Sequence, residues 1–196
     1  MSDLTELIVE HARAVAPEAV RMRRDLHRHP EVAWTERRTT YRIAEALREA
    51  GLDPVVRNDL VGLVVEVGAG APIIGFRADI DALPIHEETG LPFRSQTDGV
   101  MHACGHDAHG AIAVGIARTL AMLDELPGTA RIIFQPAEEE LPSGAEQLVA
   151  EGAHEGLAAL IAFHVDPTIP PGTVGLKSGA VTSAADKIHV RLSGPG

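Results

Sequence analysis

The fold of this chain is decided by residues 73–81, which read IIGFRADID. Residues 73–78 predict a β-strand, and two carboxylates follow its end. Further predicted strands and helices alternate on both sides of this stretch. The strands are residues 55–57, 62–67, 130–134 and 160–163, the last of which we expect to be buried, and the later ones are separated by helices 108–123 and 144–151. This alternation predicts an α/β fold, with a mixed sheet flanked by helices.

The segments before and after this alternation have different secondary-structure patterns. Before it, apolar residues at helical spacing predict three helices, one over residues 4–15, one over 20–29 that ends at Pro30, and one from about Thr35 to the residue before Gly51. After it, a Pro-Pro-Gly sequence breaks the chain, and residues 173–176 and 188–192 predict strands. We therefore predict one domain over residues 1–184 and the start of a second at 185–196.

The composition excludes several classes of function. Hydrophobic residues make up 45% of the 196 residues, which is enough to form a folded core. The net charge of −11, from 17 basic and 28 acidic residues, opposes binding to nucleic acids and to anionic membranes. No apolar run approaches the roughly 20 residues that span a bilayer, and the acidic N-terminus lacks the pattern of a secretory signal. We expect a cytoplasmic protein with no nucleic-acid or membrane partner.

The predicted fold would bring four polar segments close together in space. Asp79, Glu138 and His164 come at or just after the ends of predicted strands. A segment rich in histidine and cysteine, residues 102–109, lies just before and into a predicted helix. Because ligands of open α/β sheets bind beyond the carboxyl ends of the strands, we expect the four segments to converge on one crevice.

The side chains in these segments are of the types that bind metal ions. Thiolate, imidazole and carboxylate groups together suit zinc or a similar divalent ion. Cys104 and His106 are two residues apart, so in an extended loop they point to the same side, and the glycine between them leaves room for close approach. Glu138 and Glu139 are adjacent and point apart in extended backbone, so one can bind metal while the other faces a substrate. An isolated histidine is more often structural and a glutamate run is usually solvated, so the histidine- and cysteine-rich segment is the strongest signal.

Five ordered motifs resemble those of the metallopeptidase-like amidohydrolases. They are residues 24–31 (RDLHRHPE), 77–84 (RADIDALP), 104–109 (CGHDAH), 136–139 (PAEE) and 164–167 (HVDP). The family includes hippurate hydrolases, bacterial N-acyl-amino-acid amidohydrolases and plant auxin-conjugate hydrolases. The resemblance covers nearly the whole chain, with the motifs in order and at plausible spacing.

The resemblance implies a site for two divalent metal ions, and zinc, manganese, cobalt and nickel all suit its donors. By motif, the metal ligands would be Cys104, His106, Glu139 and His164. Glu138 would be the catalytic general base and acid. The groups that orient the site would be Asp79, Asp81, Asp107 and His109.

The same resemblance implies an architecture and an activity. The fold would be a zinc-peptidase-like catalytic domain, residues 1–184 here, interrupted by a smaller α+β lid domain that also forms a homodimer. Residues 185–196 would be the first strand of that lid. The activity would be metal-dependent hydrolysis of the amide bond of N-acyl amino acids or related small conjugates, by a metal-bridged water with Glu138 as base.

Two alternatives to this activity stay open. Family members are about twice as long as this chain and have a further histidine ligand in their C-terminal part. The chain is therefore also interpretable as an incomplete fragment that binds metal or an acyl-amino acid without turnover. The other alternative is a cysteine hydrolase in which Cys104 is the nucleophile and a nearby histidine its base, but it leaves the glutamates and His164 without a role.

Overall fold

The computed structural model describes residues 3–181, 188 and 190–194. The chain divides into two compact units, Met1–Val165 and Asp166–Gly196. The helices and strands of the described residues all lie in the first unit. In chain order they are α1 (Asp3–Arg28), α2 (Arg37–Glu49), β1 (Val55–Val56), β2 (Leu63–Gly68), β3 (Ile73–Asp79), α3 (His106–Ala121), β4 (Thr129–Gln135), α4 (Gly144–Ala150) and β5 (Leu157–Ala162). None of these helices combines the length and apolar character that crossing a membrane requires.

One five-stranded sheet of order β1-β2-β4-β3-β5 runs through the first unit. Strands β4, β3 and β5 are parallel neighbours, whereas β1 pairs with β2 and β2 with β4 in antiparallel orientation. Parallel neighbours need a long connection, and α3 provides it between β3 and β4. The predicted mixed α/β sheet with flanking helices is confirmed.

The core lies between the sheet and α3. One apolar cluster joins the buried side chains of α2, α3, β2 and β4, among them Ile43, Leu47, Leu63, Val65, Ala113, Ala117, Ile132 and Phe134. Small residues along α3 let the other helices approach it closely. A Cβ atom on Gly110 would already lie 3.5 Å from Leu26 of α1 and 3.7 Å from Ile43 of α2. This packing fixes the N-terminal end of α3, which begins in the histidine- and cysteine-rich segment.

The N-terminal helices differ from the sequence prediction in two respects. The two expected helices over 4–15 and 20–29 are a single helix, α1, with Pro17 inside it. A proline removes one donor from a helix, and here the packing of α1 against α3 outweighs that local signal. The third helix is confirmed, although it begins at Arg37 because the Thr35 hydroxyl donates to the carbonyl of Val32 instead of capping α2. Gly51, with φ of +77°, follows its end as expected.

Two predictions for the C-terminal part are wrong within the described residues. The strand near 160–163 exists as β5, but it is exposed, with Leu160 at 55% and Ile161 at 45%. It is an edge strand that pairs with β3 alone among the described strands, so its second edge has no partner there. Residues 173–176 form no strand, and their apolar side chains are exposed.

The predicted second domain at 185–196 stays a prediction. Residues 182–187, which contain its proposed boundary, lie outside the described residues, as do residues 189, 195 and 196. The described residues 188 and 190–192, from the expected strand over 188–192, are not assigned to a strand.

Candidate metal centre

The polar segments at the strand ends meet at one edge of the sheet. Asp79, the last residue of β3, lies opposite Gln135, the last residue of β4, in parallel register. The chain after β4 therefore brings Glu138 and Glu139 to the same edge as Asp79. On the other side of β3, the parallel strand β5 ends at Ala162 and leads to His164. The convergence expected from the sequence is what the topology produces.

The start of α3 supplies the remaining donors. Gly105 precedes the helix in the left-handed conformation, with φ of +88°. A Cβ atom at this position would lie 2.3 Å from Cγ2 of Val165, so a glycine is needed for the loop to approach the segment of His164. This close approach puts Cys104 Sγ 3.3 Å from His164 Nε2.

All four predicted metal ligands fall in two groups that share His106. Donor atoms of Cys104, His106 and His164 lie within 4.8 Å of one another, and so do those of His106, Glu138 and Glu139. His106 Nε2 is 3.8 Å from Glu139 Oε1. This nitrogen is buried and has no hydrogen-bond partner among the described residues. A buried nitrogen facing a thiol and carboxylates fits a divalent cation, because such an atom otherwise bears a desolvation cost.

Asp81 orients two of these groups at once. Its Oδ1 lies 3.3 Å from His106 Nδ1, and its Oδ2 accepts a hydrogen bond of 3.0 Å from the backbone N–H of Glu139. Burial alone would raise the pKa of Asp81, but the His106 ring and the N–H groups of Glu139 and Glu138 outweigh it and lower the pKa below its usual value. A carboxylate on the far ring nitrogen is the usual support of a metal-binding histidine, since it fixes the ring and its tautomer.

Asp79 and His109 form a second supporting pair, fully buried behind the donors. Asp79 Oδ1 accepts from His109 Nδ1 at 2.5 Å, and His109 Nε2 accepts at 2.9 Å from the backbone N–H of Val165. Both ring nitrogens of His109 are therefore engaged, and the ring links β3 to the residue after His164. The Arg77 guanidinium also donates to Asp79, at 2.6 Å. Burial pushes the pKa of Asp79 up, but the bond from His109 and the nearby cationic groups give a net lowering.

The acid–base properties of two residues bear on their roles. Burial, followed by the Glu139 carboxylate, raises the pKa of the Cys104 thiol to about 12. A thiol of that pKa is protonated at neutral pH, so Cys104 is not activated as a nucleophile, whereas binding to a metal deprotonates a thiol. This weakens the cysteine-hydrolase alternative despite the short distance to His164. Glu138 is exposed, and the desolvation it does undergo, together with the charges of Asp79 and Glu139, raises its pKa.

Asp107 is the predicted site residue that the structure does not bring to the donors. It lies on the other side of the first turn of α3 from His106, where its Oδ2 accepts from Arg23 Nε at 2.7 Å and contacts His27 Nδ1 at 2.8 Å. The side chain is fully buried. The hydrogen bond to Asp107 raises the pKa of His27 despite the ring's burial, so the two form a charge-assisted pair. Asp107 thus joins α3 to α1.

Removing the charge of Asp107 should destabilise the fold more than the site. We expect Asp107→Asn to lower the free energy of unfolding by about 3 kcal/mol, because it breaks the buried ion pair with Arg23 and leaves His27 with Glu87 as its remaining acidic partner. Urea denaturation measures this loss. Asp98→Asn is the matched control, because Asp98 pairs with His86 while 94% exposed and such surface pairs contribute little. Equal losses in the two variants would contradict the role of Asp107 as a link between the helices.

One buried residue near the site gave no signal in the sequence, and another, from the histidine- and cysteine-rich segment, is not among the candidate donors. Glu36 reaches the backbone of Ala137, just before the two candidate glutamates, and His102 is buried beside Asp107 with neither ring nitrogen bonded among the described residues. Burial lowers the pKa of His102 to about 4, so the ring is neutral at physiological pH. No motif or spacing distinguishes Glu36 from the surface glutamates around it.

Known proteins resemble the chain over most of its length. A family model described as Peptidase family M20/M25/M40 matches residues 75–193. The N-acetylcysteine deacetylase of Bacillus subtilis is 42% identical over 181 residues, 90% of this chain and 47% of that protein. The N-acyl-L-amino acid amidohydrolase of Geobacillus stearothermophilus is 36% identical over 185 residues, 93% of this chain and 50% of that protein. The chain spans about half the length of these relatives.

A solved structure agrees with the fold in detail. The crystal structure of the Bacillus subtilis YXEP protein, described as a dinuclear metal-binding peptidase, matches with a TM-score of 0.80 and 44% sequence identity. The match covers 85% of this chain and 48% of that protein.

Proposed function

Because the chain belongs to peptidase family M20/M25/M40, we propose that it forms the metal-binding part of a hydrolase that cleaves the amide bond of N-acyl amino acids or related small conjugates. The observation that supports the proposal is that candidate donors form two groups sharing His106, one with Cys104 and His164 and the other with Glu138 and Glu139. Relatives named for deacetylation of N-acetylcysteine and for hydrolysis of N-acyl amino acids support the substrate class.

The four converging residues are the proposed metal ligands. A thiol, two imidazoles and a carboxylate suit Zn²⁺, Mn²⁺, Co²⁺ or Ni²⁺. The similarity to a dinuclear metal-binding peptidase supports a pair of ions rather than one. When bound, such ions supply Lewis acidity, which acidifies water and polarises an amide carbonyl.

Glu138 is the proposed proton carrier. It is exposed beside the candidate ligands, so it can reach both water and a bound substrate. In the proposed mechanism, its carboxylate accepts a proton from the attacking water and then gives that proton to the leaving amine nitrogen. The raised pKa of Glu138 brings the group closer to neutral pH, where a carboxyl group can perform both transfers. Asp81 keeps His106 and Glu139 in place, and the Asp79–His109 pair does the same for the segment of His164.

The test is hydrolysis of a panel of N-acyl amino acids by the purified chain with added Mn²⁺ or Zn²⁺. We expect release of free amino acid that is abolished by a chelator and restored by adding the metal back. Hydrolysis that persists in chelator would contradict a metal-dependent mechanism and favour a cysteine nucleophile.

A second candidate function is binding of metal or acyl-amino acid without turnover. The observation that favours it is that the donor groups around His106 suffice to bind a cation whether or not turnover follows. Calorimetry would distinguish the two, since tight metal binding together with no hydrolysis across the panel supports this second function. The lid strand at 185–196 and a homodimer formed through the lid also remain proposals.

A further inference from the structure

Glu36 is a fully buried glutamate far in sequence from the candidate centre. Its Oε1 accepts a hydrogen bond of 2.7 Å from the backbone N–H of Ala137, a residue 101 positions later in the chain. Its own backbone carbonyl accepts from Thr40, at the first turn of α2. The carboxylate is therefore presented to the loop after β4 from a helix that is packed into the core.

The backbone that Glu36 holds is in an unusual conformation. Ala137 has φ of +46°, a region that residues with a Cβ rarely adopt, and it is fully buried. Such a conformation persists only where surrounding contacts hold it. On its other side, the Ala137 carbonyl accepts from Gly144 N at 3.0 Å and from the Ser143 hydroxyl at 3.3 Å. The N–H of Ala137 is thus held from outside the loop, and its carbonyl is held where the loop joins α4.

The next two peptide groups are held by another carboxylate. The N–H of Glu139 donates to Asp81, and the N–H of Glu138 also interacts with that carboxyl group. Two buried acids, Glu36 and Asp81, therefore hold three consecutive N–H groups, those of residues 137–139. The directions in which the side chains of Glu138 and Glu139 leave the backbone follow from this arrangement.

A role in capping α2 does not explain Glu36. It occupies the N-cap position of α2, but its side chain makes no capping hydrogen bond. The free N–H groups at the start of α2 donate instead to Glu31, from Arg38 at 3.0 Å and from Thr39 at 2.7 Å. The helix thus uses a different glutamate, and the side chain of Glu36 serves the loop after β4.

We propose that Glu36 is a positioning residue that aims Glu138 and Glu139 by holding the N–H of Ala137. Its effect on catalysis rests on the function proposed above, whereas its effect on the loop does not. Burial raises the pKa of Glu36 to about 7, but a hydrogen bond from Ala137 needs only an acceptor oxygen. A glutamine should therefore replace Glu36, and a leucine should not.

The direct test is hydrogen exchange of the Ala137 amide, measured by NMR in Glu36→Leu and Glu36→Gln. We expect exchange roughly 10- to 100-fold faster in Glu36→Leu, because a buried donor loses its acceptor, and a rate close to wild type in Glu36→Gln. Glu31→Leu is the matched control, since it removes a glutamate that serves α2. It should speed exchange at Arg38 and Thr39 and leave Ala137 unchanged.

Catalysis provides the second readout. If the chain hydrolyses its substrate, Glu36→Leu should lower kcat on the order of 10²-fold with little change in KM, and Glu36→Gln should recover most of that loss. If the wild-type chain shows no hydrolysis, the proposed function fails, while the exchange measurement still decides the role of Glu36.

Three results would overturn the proposal. They are unchanged Ala137 exchange in folded Glu36→Leu, equal acceleration in Glu31→Leu, and acceleration in Glu36→Gln as large as in Glu36→Leu. Should Glu36→Leu not fold, Glu36→Asp replaces it, because a side chain one methylene shorter withdraws the carboxylate from Ala137 and is expected to accelerate its exchange. Wild-type exchange in folded Glu36→Asp would count against the proposal in the same way.

Discussion

Replacing Glu138 by glutamine is expected to reduce amide hydrolysis by about 10²- to 10⁴-fold while leaving the bound metal in place. The amide of glutamine has the size of the carboxylate but cannot accept the proton of water at neutral pH. Metal should remain because the other donors, Cys104, His106, Glu139 and His164, are unchanged. The measurement is kcat on an N-acyl amino acid together with the metal content of the same preparation by mass spectrometry.

The neighbouring glutamate gives the control for Glu138. Glu140 is exposed and belongs to none of the candidate metal groups found among the described residues. Glu140→Gln removes the same charge from the same run, and we expect it to keep kcat within a few-fold of wild type. Loss of metal in Glu138→Gln would identify that residue as a ligand instead of a base. Equal loss of kcat in both variants would indicate that only the negative charge of the run matters.

The parts of the site that the sequence predicts are those that depend on local pattern and topology. The β-rich pattern over 73–78 predicts β3, and the alternation with helices predicts parallel neighbours whose ends meet. From that, Asp79, Glu138 and His164 follow as neighbours. The two-residue spacing of Cys104 and His106, with a glycine between them, likewise predicts donors on one side.

The parts that could not be predicted depend on contacts between residues distant in sequence. The bond from Ala137 to Glu36 joins residues 101 positions apart, and nothing in the local sequence requires it. The same holds for Asp107, which was expected at the site because it stands in the CGHDAH motif. Successive residues of a helix point about 100° apart, so the side chain after His106 faces α1 and meets Arg23 and His27 instead.

The exposure of β5 could not be predicted for a different reason. A continuous apolar run such as residues 157–162 is typical of a strand covered on both faces, and the pattern predicts burial correctly only when covering elements are present. In the described residues, β5 pairs with β3 and leaves Leu160 and Ile161 exposed. The strand itself was predictable from its composition, but its environment depends on other elements.

Replacing Cys104 by alanine is expected to have the second large effect, a loss of bound metal. Burial and the nearby carboxylates of Glu139, Asp79 and Glu138 raise the pKa of this thiol to about 12, so its ionised form needs a cation beside it. A bound cation would in turn be coordinated by the Cys104 thiolate, whose sulfur lies 3.3 Å from Nε2 of the other candidate ligand His164. We expect Cys104→Ala to lower metal affinity at least about 10-fold. Removing a group that only supports a metal ligand already lowers affinity by about that factor, and Cys104 would be a ligand itself. Equilibrium dialysis measures the affinity, and Co²⁺ loading should show a thiolate charge-transfer absorption that the variant lacks.

Two further variants make this result specific. Cys104→Ser keeps the shape of the side chain but offers a weaker ligand, so its affinity should fall between those of wild type and alanine. His86→Asn changes an exposed histidine that pairs with Asp98, and it should leave metal binding unchanged. Full metal retention with loss of hydrolysis in Cys104→Ala would instead identify a nucleophile. Because the raised thiol pKa disfavours a free thiolate, and the nearest imidazole is itself a candidate ligand, we expect metal and hydrolysis to be lost together.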